Sequence, residues 1–435
     1  MCAHVSATLR EISHSRAEKV GLTRFFRNRK VTVEEIVGAA AARTGTAAAG
    51  RHVLLIEDTS EINFERKAGR KRNLGPVGNG KDIGLFVHPA LAVDAADGSL
   101  LGLAGAKIWR RTRVKEEDYQ RLPIEAKESY KWLEAPMAAR GPLSAASCVT
   151  VVGDREADIY EVFSRLPDER THVLIRAERD RALAEAGGRL LSKIAAQAPE
   201  AGCLTFPLSG RPGRTAREVR LATRICPVAL RRPKTGADPR DPRSLTLNLV
   251  EVSEIDPPPD EEPIIWRLLT THDVTTLEQA AWLVELYRRR WIVEQVFRTL
   301  KSQGLALEES FITDGDALEC LTATALIAAC AVMQLVQGRG EAGSAISASR
   351  VFSRPEIAVV EKLIAKRQGK TEKQKNPHPK SSLAWAAWAI ARLGGWNGYA
   401  KERPPGPITF ARGLQRFHAI AEGFYLAESD TSQTS

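Results

Sequence analysis

Two short apolar runs, each closed by an aspartate, place the tightest limits on how this 435-residue chain can fold. The run "HVLLIED" covers residues 52–58, and "SCVTVVGD" covers residues 147–154. Short apolar runs without polar alternation are typical of strands buried on both faces of a sheet. Helical patterns lie between these and further strand patterns, which predicts an α/β protein with a mixed sheet flanked by helices.

The aspartates that close these runs are candidate site residues. In an α/β sheet, side chains at strand ends can converge on one crevice, so Asp58 and Asp154 are expected to approach each other. Two alternatives stay open: Asp154 as the cap of a helix that begins at Arg155, and Asp58 as a turn acid. Strand alternation directs the neighbouring Glu57 to the other face of the sheet.

A third acid lies on a long predicted helix over residues 276–304. At 100° per residue, four polar side chains of this helix fall within about 60° of one another, and apolar side chains occupy the opposite side. These four side chains form a row about 21 Å long: Tyr287, Arg290, Glu294 and Lys301. A solvated face with salt-bridge spacing is the alternative interpretation.

The three acids together suggest a site for hard divalent ions. Mg²⁺ prefers oxygen ligands, and two such ions can clamp the attacking and leaving oxygens of a phosphoryl transfer. The ligands expected here are Asp58, Asp154 and Glu294, beside a basic helix suited to DNA phosphates. A net charge of +10 also favours a polyanionic partner, although a merely basic soluble protein has the same balance.

Other classes of protein are disfavoured. None of the six cysteines forms a C-x-x-C pair, which argues against a zinc site and a disulfide framework. The apolar run over residues 320–336 is shorter than a membrane span and includes polar residues, so a buried helix is expected there. "GPVGNGKD" (75–82) resembles a P-loop but has Asp82 at the hydroxyl position and a strand pattern after it, which excludes nucleotide binding. The basic side chains of this region suit DNA-phosphate contact instead: Arg66, Lys67, Arg70, Lys71, Arg72 and Lys81.

These residues carry a resemblance to a known family. Its signature of Tyr, two residues, Arg, three residues, Glu, six residues and Lys is complete in the row on the predicted helix. Four shorter motifs are also similar: "IEDTS" (56–60), "DREADIY" (154–160), "WRLLTT" (266–271) and "WAIARLGG" (388–395). Between about residue 20 and residue 425, the chain resembles the DDE transposases of the insertion-sequence-4 type.

The resemblance implies a ribonuclease-H-like core with a β-rich insertion and a helical C-terminal region that pairs two subunits at a synapse. The Arg- and Pro-rich, alternating stretch over 185–262 independently indicates strands in that position. The implied units are a partial N-terminal DNA-binding region, the two parts of the core around the insertion, and the C-terminal dimerisation region: 1–50, 51–184, 185–262, 263–340 and 341–435.

The resemblance also implies an activity, namely metal-dependent cleavage at transposon ends followed by strand transfer into target DNA. It implies two Mg²⁺ ions, with Mn²⁺ as a substitute, on the three acids, and a homodimer on DNA in a bacterial, nucleoid-associated cytoplasmic setting. Tyr287, Arg290 and Lys301 would then grip the phosphate near the cleaved end.

Four further side chains are expected to contact DNA. Trp266 matches a tryptophan that stacks on a flipped-out base, and Trp291 is predicted to wall the same pocket, with core packing as the alternative for both. Arg155 and Arg176 are expected at the DNA as well, with a surface arginine as the alternative for Arg176.

A shorter N-terminal region than is usual for the family leaves two other functions open. Only 57 residues precede Asp58, so a truncated, non-catalytic regulator that pairs with full-length transposase and inhibits it is the second hypothesis. A metal-dependent nuclease with a host role is the third.

Overall fold

The computed structural model describes residues 9, 13, 15–111, 119–184, 190–208, 210, 215–371, 374–399 and 401–432. Within them, eleven strands form one sheet. The strands are β1 His52–Glu57, β2 Ser60–Asn63, β3 Gly75–Val77, β4 Asp82–Asp94, β5 Leu100–Trp109, β6 Cys148–Gly153, β7 Thr171–Arg176, β8 Glu200–Leu208, β9 Arg217–Arg231, β10 Ser244–Glu254 and β11 Ile265–Thr270.

The sheet runs in the order β2-β4-β1-β6-β7-β11-β10-β9-β8, with β3 and β5 also paired to β4. Strands β1, β6 and β7 are mutually parallel neighbours, and the other pairings are antiparallel. The order β5-β4-β1-β6-β7, with helices on both faces, is a ribonuclease-H-like core, as expected from the sequence.

The two apolar runs are buried on both faces of the sheet, as their composition predicts. Leu54 and Ile56 of β1 belong to one hydrophobic core, and Val53 and Leu55 belong to the core on the other face. Such double burial needs helices on both sides, because a strand without polar alternation leaves no face for water.

Helices cover both faces and build the C-terminal region. They are α1 Arg16–Phe26, α2 Val33–Ala48, α3 Lys131–Ala139, α4 Tyr160–Arg165, α5 Leu191–Gln197, α6 Leu277–Arg288, α7 Ile292–Lys301, α8 Gly315–Gly338, α9 Arg354–Arg367, α10 Leu383–Leu393 and α11 Pro407–Ser432. Helices α6, α7 and α8 pack on the face of Leu54 and Ile56, whereas α3, α4 and α5 pack on the opposite face. A third core joins α9, α10 and α11 to the end of α8.

The strands predicted within 185–262 are present as β8, β9 and β10. They do not form a separate sheet, because β10 pairs with β11 and thereby extends the central sheet. The insertion is therefore continuous with the strands that carry the candidate site.

The predicted continuous helix over 276–304 is interrupted. Thr276 begins α6 with a capping box, but residues 289–291 tighten into a 3₁₀ turn before α7 continues to Lys301. At this turn Arg289 donates to the Ala95 carbonyl, while Arg290 reaches the carboxylate of Asp58. The two adjacent arginines thus bind different parts of the core, and the tightened turn lies between them.

The charged sequence over 115–135 also predicts a helix, and in the described part of this range the prediction is wrong for residues 119–130. Residues 119–130 form three short 3₁₀ turns, and only Lys131–Ala139 is α-helical. Pro123 accounts for this, since it lacks an amide donor and restricts the residue before it. Residues 115–118 lie outside the described part of the chain.

Helix α8 contains the apolar run that the sequence assigns to the core. Among the described residues it is the one helix long and apolar enough to cross a membrane, yet 67% of its most apolar window is buried inside the fold. It packs against α7 and β5, as a core helix of a soluble protein does.

Candidate active site

The two aspartates lie at the same edge of the sheet, on adjacent parallel strands. In the register of β1 and β6, His52 is opposite Cys148 and Ile56 is opposite Val152. The same offset of 96 residues relates Asp58 to Asp154. Adjacent strands are about 4.8 Å apart, so the structure brings these two predicted site residues together.

The side-chain period of two also places them on one face. Ile56 and Val152, two residues before Asp58 and Asp154, belong to the core covered by α6 and α7. On the next two strands, Leu174 lies in the same core two residues before Arg176, and Trp266 packs against that core. Strands β1, β6, β7 and β11 therefore contribute side chains to the same end and the same face of the sheet. Helix α7, which carries Glu294, covers this face.

Asp58 occupies a nearly enclosed position. Its side chain is 13% exposed, its Oδ2 accepts a hydrogen bond from Arg290 at 2.7 Å, and its Oδ1 accepts one from the Thr59 amide at 2.7 Å. Burial and the nearby Asp154 raise the pKa of Asp58 to about 6, against the opposing effect of Arg290; Glu294 raises it further. Three carboxylates thus lie within electrostatic range of one another, with one arginine partly compensating them.

Asp154 has the capping role weighed from the sequence, although it caps a 3₁₀ turn and not an α-helix. Its Oδ1 accepts a hydrogen bond from the Glu156 amide at 2.9 Å and caps the 3₁₀ turn Arg155–Ala157. The preceding Gly153 is required by this tight turn, because a Cβ there would lie 2.4 Å from the Cβ of Ala157. The cap fixes the direction in which the chain leaves β6.

The four-residue row faces the end of β1 and is not an open solvated face. Tyr287 is only 5% exposed and contacts the Trp266 ring edge to face, with centroids 5.3 Å apart. Arg290 binds Asp58, and Lys301 Nζ lies 3.3 Å from the Ser60 hydroxyl. The row is inclined over β1 and β2 while the apolar side of α7 packs on α8.

The remaining predicted DNA contacts surround this edge. Arg176 Nη2 donates to the Ile265 carbonyl at 3.1 Å and its side chain also hydrogen-bonds Tyr287. Arg155 is half-exposed, with Nε 3.5 Å from a carboxylate oxygen of Glu178. Trp291 is 48% exposed, and the Arg298 guanidinium lies over its ring at 5.6 Å.

Part of the predicted basic DNA-contact loop is engaged inside the protein instead. Lys67 Nζ pairs with Glu309 at 2.9 Å, and Lys71 Nζ donates to the carbonyls of Ser310 and Ile312, each at 2.7 Å. Burial lowers the pKa of Lys71 to about 8. These two lysines hold the segment before α8 and are not free for phosphate.

The three carboxylates suit a hard divalent ion in their chemistry, but their oxygen atoms do not surround a common coordination position. Three carboxylates supply the oxygen ligands that Mg²⁺ prefers, and their mutual repulsion is the charge pattern that a cation relieves. Within the described residues, no group of three or more His, Cys, Asp or Glu side chains is positioned to hold an ion. Arg290 donates a hydrogen bond to the carboxylate of Asp58, and the Glu156 amide donates one to the carboxylate of Asp154. A bound ion would have to displace these donors or share the oxygens with them.

Two residues that support the site, His88 and Asp158, were not singled out in the sequence. Glu57 faces away from Asp58, as alternation predicts, and lies fully buried 3.6 Å from His88, whose Nδ1 is 2.9 Å from the Thr59 hydroxyl. Asp158 is buried and accepts Arg181 Nε at 2.8 Å, which ties the segment after Asp154 to the one after β7. A histidine inside an apolar strand and a second aspartate in "DREADIY" were the available signals.

Comparison with known families bears on this geometry. Residues 144–331 match the family model of the transposase DDE domain. The matched range includes Asp154 and Glu294, whereas Asp58 precedes it. The match supports a DDE transposase, a class of enzyme that acts on DNA and generally uses divalent metal ions.

Proposed function

We propose that this protein is a DNA transposase that cleaves transposon ends and transfers the strands into target DNA, as a member of the insertion-sequence-4 group. One observation carries the proposal: Asp58 and Asp154 directly follow two adjacent parallel strands, with the same offset as the paired residues, and Asp58 lies within electrostatic range of Asp154 and Glu294. The match of residues 144–331 to the transposase DDE domain supports the same conclusion.

In this proposal the three acids hold two divalent ions, Mg²⁺ with Mn²⁺ as a substitute. Bound ions would activate the attacking oxygen and stabilise the leaving oxygen in an in-line phosphoryl transfer. Asp58 and Asp154 are the ligands fixed by the sheet, and Glu294 is the ligand supplied by α7. Arg290 holds Asp58 in place through its 2.7 Å contact and is near enough to meet a phosphate entering the same space.

The DNA-contacting residues divide by their surroundings. Tyr287, Arg290 and Lys301 lie along the row above β1 and β2 and would bind the phosphate at the cleaved end. Trp266 offers a ring braced by Tyr287, which suits stacking of an unpaired base worth about 1–3 kcal/mol.

Three exposed or edge side chains complete the proposed DNA surface. Trp291 presents nearly half of its surface to solvent, beside the Arg298 guanidinium. Arg155 and Arg176 project from the same sheet edge as Asp154 and would contact the backbone without reading sequence.

The proposed assembly is a homodimer joined through residues 341–435 in a synaptic complex, with residues 1–50 contributing to DNA binding. Helix α11 belongs to this region and leaves several large apolar side chains exposed: Ile408, Ile420, Tyr425 and Leu426. A cytoplasmic, nucleoid-associated location would follow from the substrate.

The test is Mg²⁺-dependent cleavage of DNA that carries the sequences flanking the gene. The purified protein should cut at the ends, Glu294→Gln should not, and the matched control Glu285→Gln should cut normally. Glu285 lies on α6, where it pairs with Arg288 at 2.8 Å. Absence of cleavage by the unmodified protein, with DNA binding retained, would instead favour an inhibitory regulator.

A further inference from the structure

A cavity of about 770 Å³ lies well away from the candidate active site. It is bounded by α2, β5, α8 and the 3₁₀ turns Glu341–Ser344 and Ala348–Arg350. Arg51, on its wall, immediately precedes β1, whereas Asp58 follows that strand. The two residues are seven steps of extended chain apart, so the wall at Arg51 lies about 23 Å from the aspartates.

Three arginines line this cavity: Arg43, Arg51 and Arg350. Arg51 is neutralised, because its Nη1 pairs with the buried Asp94. Arg43 is exposed and makes only a long 3.4 Å hydrogen bond to the Val351 carbonyl. Asp97 is the one acid that lines the cavity among the described residues, so Arg43 and Arg350 outnumber the available carboxylate and the wall keeps a positive charge.

Arg350 is the informative member of the three. Its Nη1 is buried without a hydrogen-bond partner, and no carboxylate of the described residues lies within ion-pair distance of its side chain. Burial and the neighbouring Arg51 lower the pKa of Arg350, against Asp97 and Asp94, but an arginine stays charged in proteins. A half-buried guanidinium with no acceptor among the described residues requires an explanation, and an anion in the adjoining cavity would balance its charge.

We propose that this cavity binds a phosphate group, held by Arg350 and Arg43 with the hydroxyls of Ser347 and Ser349 as further donors. The two serine hydroxyls line the same cavity, 2.8 Å from each other. A guanidinium presents a planar fork of donors that fits phosphate oxygens, and hydroxyls complete such a set. The DNA backbone supplies this phosphate, an assignment that rests on the proposed function.

The distance between the cavity and the aspartates sets a minimum length for DNA that contacts both. A site about 23 Å from the aspartates corresponds to roughly seven base pairs at 3.4 Å rise. DNA that reaches both places must therefore extend beyond the cleaved end. The second contact lies between the core and the turns that lead into the C-terminal region, so it fastens the two together when DNA is bound.

The first arm of the test uses inorganic phosphate and thermal unfolding. At constant ionic strength, phosphate should raise the Tm of the unmodified protein above its value in chloride, and Arg350→Gln and Arg43→Gln should each abolish the rise. Arg367→Gln is the matched control, since it removes an exposed arginine about 20 Å along α9 from the turns. An equal rise in all four proteins, or no rise in any, would overturn the phosphate site.

The second arm uses a labelled duplex and the salt dependence of its binding. Each phosphate contact contributes about 0.9 to the slope of log affinity against log salt, so Arg350→Gln should reduce the slope by about one and Arg367→Gln should not. A lost phosphate response with an unchanged slope would overturn DNA as the source and leave a free phosphate. Because Arg43 is exposed, its variant keeps the test valid should Arg350→Gln fail to fold.

The two proposals fail in different ways. If the proposed transposase function is wrong, the protein will show no cleavage that depends on Glu294, but phosphate will still raise its Tm through Arg350. If the proposed phosphate site is wrong, phosphate will not raise Tm through Arg350, but cleavage that depends on Glu294 will still be observed.

Discussion

Replacing Asp58 with asparagine should stabilise the metal-free protein at neutral pH. The pKa of Asp58 is raised from 3.8 to about 6 in the folded protein, chiefly by burial and by Asp154. A difference of that size corresponds to about 3 kcal/mol between the ionised and neutral forms. Asparagine removes the ionised form and can still accept a hydrogen bond from Arg290.

The sign of the pH dependence follows from linkage. The folded protein holds the Asp58 proton more tightly than the unfolded chain does, so stability falls as pH rises from about 4 to about 6 and is constant above that range. The asparagine variant should therefore match the unmodified protein near pH 4 and exceed it at pH 8.

Differential scanning calorimetry gives the expected size. At about 2.1 cal/mol/K per residue, unfolding of 435 residues as one unit has an entropy near 0.9 kcal/mol/K, so 3 kcal/mol raises Tm by about 3 °C. Mg²⁺ at a hundred times its Kd should add about 2.7 kcal/mol to the unmodified protein and little to the variant.

The matched control is Asp260→Asn, which removes an exposed acid and should leave the pH profile unchanged. A variant that is less stable than the unmodified protein at both pH 4 and pH 8 would refute the reasoning. It would mean that the ion pair with Arg290 contributes more than the burial of the carboxylate costs.

Three further changes test the surroundings of the site. Trp266→Ala should weaken binding to DNA with an unpaired terminal base by about 1–3 kcal/mol and leave intact duplex unaffected, measured by fluorescence anisotropy; equal loss on both would contradict stacking. Asp158→Ala leaves Arg181 buried and uncompensated and should cost about 3–5 kcal/mol in urea unfolding, and a change below about 1 kcal/mol would contradict the buried pair. Gly153→Val places a Cβ 2.4 Å from the Cβ of Ala157 and should displace the turn that carries Asp154. The cleavage rate should therefore fall even at temperatures where the variant is still folded, and full activity would contradict the tight turn.

The sequence predicts the two strands at the site and the approach of their closing aspartates well, for a physical reason. Wholly apolar runs have few ways to be buried, so β1 and β6 become neighbouring central strands and their closing aspartates come into register. Strand alternation then correctly separates Glu57 from Asp58, since a period of two allows no other arrangement.

The helix above the sheet was harder to predict. A helical wheel gives the relative angles of Tyr287, Arg290 and Glu294, but it does not show which parts of the fold pack against each side of the helix. Helix α7 packs on α8 with one side and faces β1 with the other, whereas Tyr287, at the end of α6, is buried against Trp266 although it lies on the polar row. The 3₁₀ turn depends on Arg289 reaching a turn nearly 200 residues earlier, a contact that local spacing does not contain.

The buried support of the site was missed for a related reason. His88 and Asp158 find their partners on other strands and loops, so their value depends on the fold and not on their neighbours in sequence.

The most direct test of the central claim is a crystal of the protein soaked in Mn²⁺, with anomalous diffraction locating the ion. The account predicts a strong anomalous peak bounded by the carboxylates of Asp58, Asp154 and Glu294, with Arg290 moved off Asp58, and no peak there in Glu294→Gln. A well-occupied peak elsewhere, or the same peak in the variant, would contradict it.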